Sequence, residues 1–272
     1  MSLTVNTNMA SLTAQRNLAN STMSLNQSLQ RLSSGLRINS AADDPAGLGI
    51  SEKMQGQING LNQASSNAQT GINLLQTAEG SLNTIQSILQ RQRTLSVQGA
   101  SDTLTSNDRT NIQTEMNQLT SELDRIASSS SFNTQNLLDG SFTGKSFQIG
   151  ANAGDVISIG IITISSAALT VNNLSVGSQA LASTSISNID VALNAISTQR
   201  ANLGALENRL QDTISNLGVA SENLTASQST IQDTDFASEV ANMTKNQLLV
   251  QAGTSILAQA NQSTSAVMNL LH

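Results

Sequence analysis

Apolar residues recur at alternating spacings of three and four along most of this chain, the spacing of a helical seam. The longest run occupies the second half of the chain and comprises Ile186, Ile189, Leu193, Ile196, Arg200, Leu203, Glu207, Leu210, Ile214, Leu217, Ser221 and Leu224. Three polar residues, Arg200, Glu207 and Ser221, interrupt it. Because a single helix of this length cannot cover its own apolar seam, the pattern predicts a long helix packed against other helices.

Two upstream segments have the spacing that such partners need. Residues 112–126 repeat it closely and residues 58–89 repeat it with more slips, while Gly, Ser, Asp and Thr cluster as a loop across 99–107. We therefore expect an antiparallel helical bundle over residues 45–229.

The two ends of the chain carry a further pair of helical stripes. Their apolar positions are Leu18, Leu25, Leu29, Leu32 and Leu36 near the N-terminus, and Leu249, Ile256, Ala260, Val267 and Leu270 near the C-terminus. Each stripe alone is marginal in water. Residues 1–44 and 230–272 are expected to form a terminal-helix domain, and two alternatives stay open: the helices pair within one monomer, or they stay poorly ordered until other subunits cover them.

The periodicity changes between about residues 132 and 177, where β structure is expected. Residues 147–149 and 156–159 form a predicted hairpin around a Gly- and Asn-containing turn, and residues 161–164 extend the β character. The predicted fold is therefore mainly α: a long antiparallel helical bundle or coiled coil with paired terminal helices and a small β-hairpin region at the tip.

Pro45 is the only proline and stands where the bundle pattern begins. Proline suits the first position of a helix because its missing N–H has no partner there, and the preceding Asp44 can cap the helix. Asp233 and Asp235 are interpreted as caps in the same way. Adjacent carboxylates in a capping turn are structural far more often than catalytic, so no catalytic, cofactor or metal site is predicted.

The composition excludes several classes of functional site and partner. The chain has no Cys, one His (His272), charged residues at 11% and a formal net charge of −6, which leaves no thiolate or multi-His metal centre and no His-based triad. The chain has only 12 basic residues, too few for the basic surface that nucleic-acid binding requires. No stretch is long and apolar enough to insert into a membrane, and the first residues have no features of a cleavable signal peptide.

Several segments in chain order resemble bacterial flagellin. They are residues 31–54 (RLSSGLRINSAADDPAGLGISEKM), 67–80 (NAQTGINLLQTAEG), 89–98 (LQRQRTLSVQ), 199–209 (QRANLGALENR), 221–225 (SENLT), 231–237 (IQDTDFA) and 251–262. They are distributed along nearly the whole length of the chain except roughly residues 140–180.

The resemblance implies a structural subunit, not an enzyme, that polymerises into the extracellular flagellar filament for swimming. It implies type III export, an export chaperone, a filament cap and hook-junction proteins as partners. In that family the terminal helices form the inner tubes, so Leu18, Leu25, Leu29, Leu32, Leu249, Ile256, Val267 and Leu270 are expected at subunit interfaces. The short middle implies that the large outer variable domains are missing.

The same resemblance implies one candidate contact with the toll-like innate receptor for flagellin, formed by Arg91, Leu95 and Glu115. Two residues depart from the family's receptor-active motif, because Gln92 and Thr94 stand where Val and Glu are common.

A hook–filament junction protein of the same superfamily is the closest alternative, since it shares the terminal helices. An enzyme or secreted effector would need a clustered polar site, and a coiled-coil adhesin would lack matching ends.

Overall fold

The computed structural model describes residues 7–269, with side chains described for residues 7–262. The elements are the helices α1 (Met9–Ser34), α2 (Pro45–Gly99), α3 (Ser106–Ser129), α4 (Gln179–Gln232) and α5 (Phe236–Asn269), and the strands β1 (Ser131–Phe132), β2 (Gln135–Asn136), β3 (Lys145–Gln148) and β4 (Val156–Ile159). The prediction of a mainly α fold with small β-hairpins is confirmed.

Side-chain caps fix where several of these helices begin. Helix α2 begins at Pro45, and Asp44 Oδ1 accepts the N–H of Gly47 at 2.9 Å. Asp235 Oδ1 accepts the N–H of Ala237 at 3.0 Å at the start of α5. Thr105 and Asp108 form a reciprocal capping box at the start of α3, and hydrogen bonds from Thr105 hold the pKa of Asp108 below its usual value.

Contacts divide the chain into two compact units. One comprises the residues up to Gly56 and those from Asn223 onward, and the other comprises Gln57–Glu222. Helices α2 and α4 each contribute residues to both units, so the contact boundary falls inside these helices. The domain bounds drawn from the sequence, at 44/45 and 229/230, stay a prediction.

The core of the Gln57–Glu222 unit is aliphatic. It includes the fully buried Leu82, Ile85, Leu89, Leu123, Ile196 and Leu210, together with apolar residues from the β region. Because rings are scarce, the core depends on close packing of branched aliphatic side chains.

The polar residues that interrupt the long seam link α4 to α2. Arg200 donates to Gln86 Oε1 at 2.6 Å and to Glu79 Oε1 at 3.1 Å, and Glu207 accepts from Gln76 Nε2 at 2.7 Å. These residues lie at the flank of the interface, while Ala192 and Gln199, which the apolar pattern did not select, are buried.

The β region differs from the prediction in two places. Strands β3 and β4 pair antiparallel, with Phe147 opposite Ile157, and form the expected hairpin. A second hairpin, β1 with β2, was not predicted. The expected β extension over residues 161–164 is wrong: Ile161 and Ile164 are fully buried, but their N–H groups bond to the carbonyls of Phe142 and Leu138 in irregular backbone.

Candidate functional site

Helices α1 and α5 pack against each other along an antiparallel seam. The seam positions again alternate by three and four, and they are Ser11, Ala14, Leu18, Ser21, Leu25, Ser28 and Leu32 on α1 and Glu239, Met243, Asn246, Val250, Gly253, Leu257 and Ala260 on α5. Serine, alanine and glycine occupy six of these fourteen positions, so the helices approach closely but bury little apolar area.

Gly253 of α5 lies directly against Leu18 of α1. A Cβ placed on it would lie 3.2 Å from Leu18 Cδ1, so the bare backbone at this position accommodates the leucine. Towards the far end of the seam, Ser11 Oγ donates to Asn261 Oδ1 and Asn8 Nδ2 donates to the carbonyl of Ala260, each at 2.8 Å. The seam therefore has a defined register.

One ion pair lies within this otherwise neutral seam. Arg31 Nη1 is 3.7 Å from Glu239 Oε2, and Glu239 is only 8% exposed. If α1 shifted along α5, the buried carboxylate of Glu239 would lose its partner, and an unpaired buried charge is strongly destabilising. We infer that the pair favours one register of α1 on α5.

The outer faces of α1 and α5 retain large exposed apolar side chains. Their members are Met9, Leu12, Met23 and Leu29 on α1, and Phe236, Val240, Leu248, Leu249 and Ile256 on α5. Large groups of exposed apolar residues mark interaction surfaces in soluble proteins. We call this set the outer apolar face.

The structure distributes the predicted interface leucines over both surfaces. Leu18, Leu25 and Leu32 are half-buried in the seam between α1 and α5, so one chain already covers part of each. Leu29, Leu249 and Ile256 belong to the outer apolar face, with exposures of 47%, 46% and 60%. Val267 lies in α5 but its side chain is outside the described part, and Leu270 lies outside the described residues.

The seam residues that sequence reasoning missed are the small and charged ones: Ser11, Ser28, Glu239 and Gly253. Their spacing could have identified them, because they share the heptad phase of Leu18, Leu25 and Leu32 on α1 or of the other seam positions on α5. A search restricted to apolar residues omits serine and glycine, although both suit a closely packed seam.

The segments that connect α1 to α2 and α4 to α5 are paired by backbone hydrogen bonds. The N–H of Arg37 donates to the carbonyl of Gln232 at 2.7 Å, and that of Thr234 donates to the carbonyl of Gly35 at 3.0 Å. Gly35 ends α1 with φ of +74°, a left-handed conformation that favours glycine. These bonds tie the segment that follows α1 to the junction between α4 and α5.

Asp43 stabilises the loop before α2. Its carboxylate accepts hydrogen bonds from the N–H groups of Asn39 and Ser40, from Ser40 Oγ and from Gln27 Nε2, at 3.0–3.3 Å. The bond from Asn39 is the largest cause that lowers the pKa of Asp43, followed by those from Ser40.

This network predicts acid sensitivity of the loop. Since the folded-state pKa of Asp43 is lowered, its contribution is present above the ordinary carboxyl pKa of about 4 and is lost as pH falls through the lower folded value. We expect the amide protection of Ser40 to fall in that acid range. Asp43→Asn should show low protection at all pH values, whereas Asp102→Asn, at an exposed loop position, should behave like the parent. Equal acid profiles for the parent and Asp43→Asn would contradict the assignment.

Arg91 and Glu115 lie together on the surface of the bundle unit. Arg91 Nη2 is 2.7 Å from Glu115 Oε1, which links α2 to α3, and both side chains are about half exposed. Leu95 is only 2% exposed, so its side chain packs inside the core and is not part of this surface. Thr94 is exposed beside Arg91.

Gln92 is buried, so its departure from the family motif changes the core and not the surface. Its Nε2 donates to Thr120 Oγ1 at 2.9 Å, and its Oε1 has no hydrogen-bond partner among the described residues. The replacement that alters the exposed surface is therefore Thr94.

The described residues contain no group of three or more His, Cys, Asp or Glu side chains placed to hold a metal ion. None of the described helices combines the length and hydropathy needed to cross a membrane.

Two family models match the chain. The bacterial flagellin N-terminal helical region matches residues 5–143, and the bacterial flagellin C-terminal helical region matches residues 186–271.

Individual proteins match over nearly their full length. The chain is 46% identical to a flagellar filament 33 kDa core protein of Treponema phagedenis and 44% identical to a flagellin of Halalkalibacterium halodurans, in each case over 98% of this chain and 99% of the relative. The crystal structure of Bacillus cereus flagellin superposes with a TM-score of 0.51 at 30% identity, covering 56% of this chain and 88% of that one.

Proposed function

Because this chain belongs to the bacterial flagellin family and is a subunit of a flagellar filament, we propose that it polymerises through the outer apolar face of α1 and α5. The observation that carries this proposal is that the helix pair leaves Leu29, Leu249 and Ile256 roughly half exposed. The small-residue seam supports only part of the burial that the two stripes need, and neighbouring subunits would supply the rest.

Mass action favours assembly. Complete burial of one large aliphatic side chain is worth about 1.5–3 kcal/mol, and the outer apolar face carries several that are half exposed in one chain. Binding of another copy therefore stabilises the paired conformation by removing this surface from water. We propose that residues 1–44 and 230–272 form the inner part of the filament and residues 45–229 the layer around it.

Electron microscopy of the purified full chain after seeding with filament fragments tests the proposal. We expect long tubes of uniform diameter. Short caps or discrete particles would contradict it and would suit a hook–filament junction protein. That alternative is not favoured, since the matched relatives are named as flagellins and filament core proteins over almost their whole length.

The remaining partners are inferred from membership of the flagellin family. We propose that the chain has no catalytic role and that it reaches the extracellular filament by type III export, with an export chaperone, a cap and hook-junction proteins acting on it.

We further propose that Arg91 and Glu115 contact the toll-like innate receptor for flagellin. Arginine is among the residue types enriched at interface hot spots, where truncation costs about 2 kcal/mol or more, so Arg91→Ala should weaken the reporter response about tenfold or more. Arg93→Ala is the matched control, because Arg93 is also an ion-paired arginine of α2, with Asp190 as its partner at 2.7 Å. A parent protein that gives no response, or equal losses in both variants, would end this proposal.

A further inference from the structure

Methionine is the main residue type of this chain that mild oxidants can modify. The sequence has no Cys, Trp or Tyr and a single His, against seven methionines. Peroxide converts the methionine thioether to a sulfoxide, which turns a flexible apolar side chain into a polar one. The response of this protein to mild oxidation therefore depends on where its methionines lie.

The methionine side chains that the structure describes differ widely in exposure. Met9 and Met23 of α1 are 60% and 63% exposed, whereas Met116 of α3 is only 1% exposed in the core of the bundle unit. Met54 and Met243 are half-buried. Because susceptibility to oxidation follows solvent access, peroxide should modify Met9 and Met23 and leave Met116 intact.

Met9 and Met23 lie on the same side of α1. They are two heptads apart in the sequence, a spacing that returns a side chain to nearly the same direction about 21 Å further along a helix. Both belong to the outer apolar face, through which we propose that the chain polymerises. The other members of that face are Leu, Ile, Val and Phe, whose side chains peroxide leaves unchanged.

Hydrogen peroxide supplies the oxygen atom of the sulfoxide. A lone pair of the thioether sulfur attacks one peroxide oxygen, so the S–O bond forms while the O–O bond breaks. The departing hydroxide takes the proton of the new S–OH group, and the products are the sulfoxide and water. Sulfur loses two electrons, and the peroxide gains them.

We propose that Met9 and Met23 form an oxidation switch on assembly: their sulfoxides block polymerisation of the monomer, and burial in the filament protects their thioethers. This proposal rests on the proposed function, since it requires that neighbouring subunits cover the outer apolar face. A sulfoxide at either position brings a polar S=O group into a surface that assembly removes from water, which is costly. The fold of the monomer does not depend on these two side chains, because both are largely exposed.

Peroxide treatment of the full-length monomer, followed by peptide mass spectrometry, tests the order of oxidation. We expect Met9 and Met23 to be oxidised at least about tenfold faster than Met116, because only the first two are open to solvent. In filaments assembled before the treatment, oxidation of Met9 and Met23 should be about tenfold slower than in the monomer. Equal rates for the three methionines in the monomer, or equal rates for Met9 and Met23 in monomer and filament, would overturn the proposal.

Sedimentation of seeded samples measures the effect on assembly. The critical concentration for polymerisation should rise about tenfold for each sulfoxide, the factor expected when burial of the exposed part of one methionine side chain is lost. Circular dichroism should show that the oxidised monomer is still folded. Reduction by methionine sulfoxide reductases for both sulfoxide epimers should restore the original critical concentration. An oxidised monomer that polymerised at the parent's critical concentration would contradict the switch.

Two double variants locate the effect. Met9→Leu with Met23→Leu removes both thioethers but keeps apolar volume and helix propensity, so it should polymerise like the parent before and after peroxide. Met54→Leu with Met243→Leu is the matched control, because it leaves Met9 and Met23 in place and should be as sensitive to peroxide as the parent. The opposite pattern, with sensitivity kept in the first variant, would overturn the proposal.

Failure of the oxidation switch and failure of the assembly surface give different results. If the oxidised monomer polymerised normally while glutamine at Leu249 and Ile256 prevented growth, the outer apolar face would remain the assembly surface and only the switch would be wrong. If the glutamine variant also polymerised normally, the proposed function would fail, and the switch with it.

Discussion

Replacing Leu249 and Ile256 together by glutamine is expected to abolish filament growth at concentrations where the parent polymerises. These side chains are 46% and 60% exposed in one chain, so assembly can bury about half of each. Burying the exposed half of one aliphatic side chain is worth about 0.75–1.5 kcal/mol, so the double change removes about 1.5–3 kcal/mol per subunit. The critical concentration for polymerisation should therefore rise between about tenfold and 150-fold.

The fold of the monomer should survive this change, because neither residue lies in the seam between α1 and α5. Circular dichroism of dilute monomer checks this, and sedimentation of seeded samples measures the critical concentration. Ser255→Gln is the matched control, since it introduces glutamine at an exposed polar position next to Ile256. If the double variant polymerised at the parent's critical concentration, the outer apolar face would not be the assembly surface.

Gly253→Leu is expected to separate α1 from α5. Even a methyl group at this position would lie 3.2 Å from Leu18 Cδ1, and a leucine side chain needs far more room than the seam offers. Overpacking of this kind costs about 1–3 kcal/mol. The removal of a helix-interior glycine offsets about 1 kcal/mol of that cost, so a control for helix propensity is required.

Gly218→Leu supplies that control. Gly218 is an exposed position within α4, and a Cβ added there meets nothing within 4 Å. It gains the same helix propensity without crowding. Hydrogen exchange at the α1 amides around Leu18 should accelerate in Gly253→Leu and stay at the parent rate in Gly218→Leu. Unchanged protection in both variants would show that the seam tolerates a large residue and that close approach at Gly253 is not needed.

The sequence predicted the helices well because their signals are local. Heptad spacing located α4, Pro45 with Asp44 located the start of α2, and the cluster of loop residues after Gly99 located the break before α3. Each of these signals depends on residues within one or two turns of each other. The hairpin of β3 and β4 was likewise visible from a short Gly- and Asn-containing turn.

The surface residues were harder to assign, because helical spacing alone does not say what covers a position. Leu25 and Leu29 are one turn apart in the same stripe, yet Leu25 faces α5 and Leu29 faces solvent. Leu95 was grouped with Arg91 as a surface pair, but it is buried. An i, i+4 pair lies on one side of a helix, and only the position of the neighbouring helix decides which of its members is exposed.

By itself, then, the sequence determined the helical class, the positions of the helices, the family and the presence of apolar stripes at both ends. Tertiary structure alone decided that small residues such as Gly253 form the seam between those ends, that residues 161–164 pack as irregular backbone, and that Leu95 is buried while Arg91 is exposed. The physical reason is the separation along the chain of the residues that interact. Helix propensity, caps and turns act between neighbours in the chain, whereas a seam or a core is formed by residues that are far apart in sequence and meet only after the chain has folded.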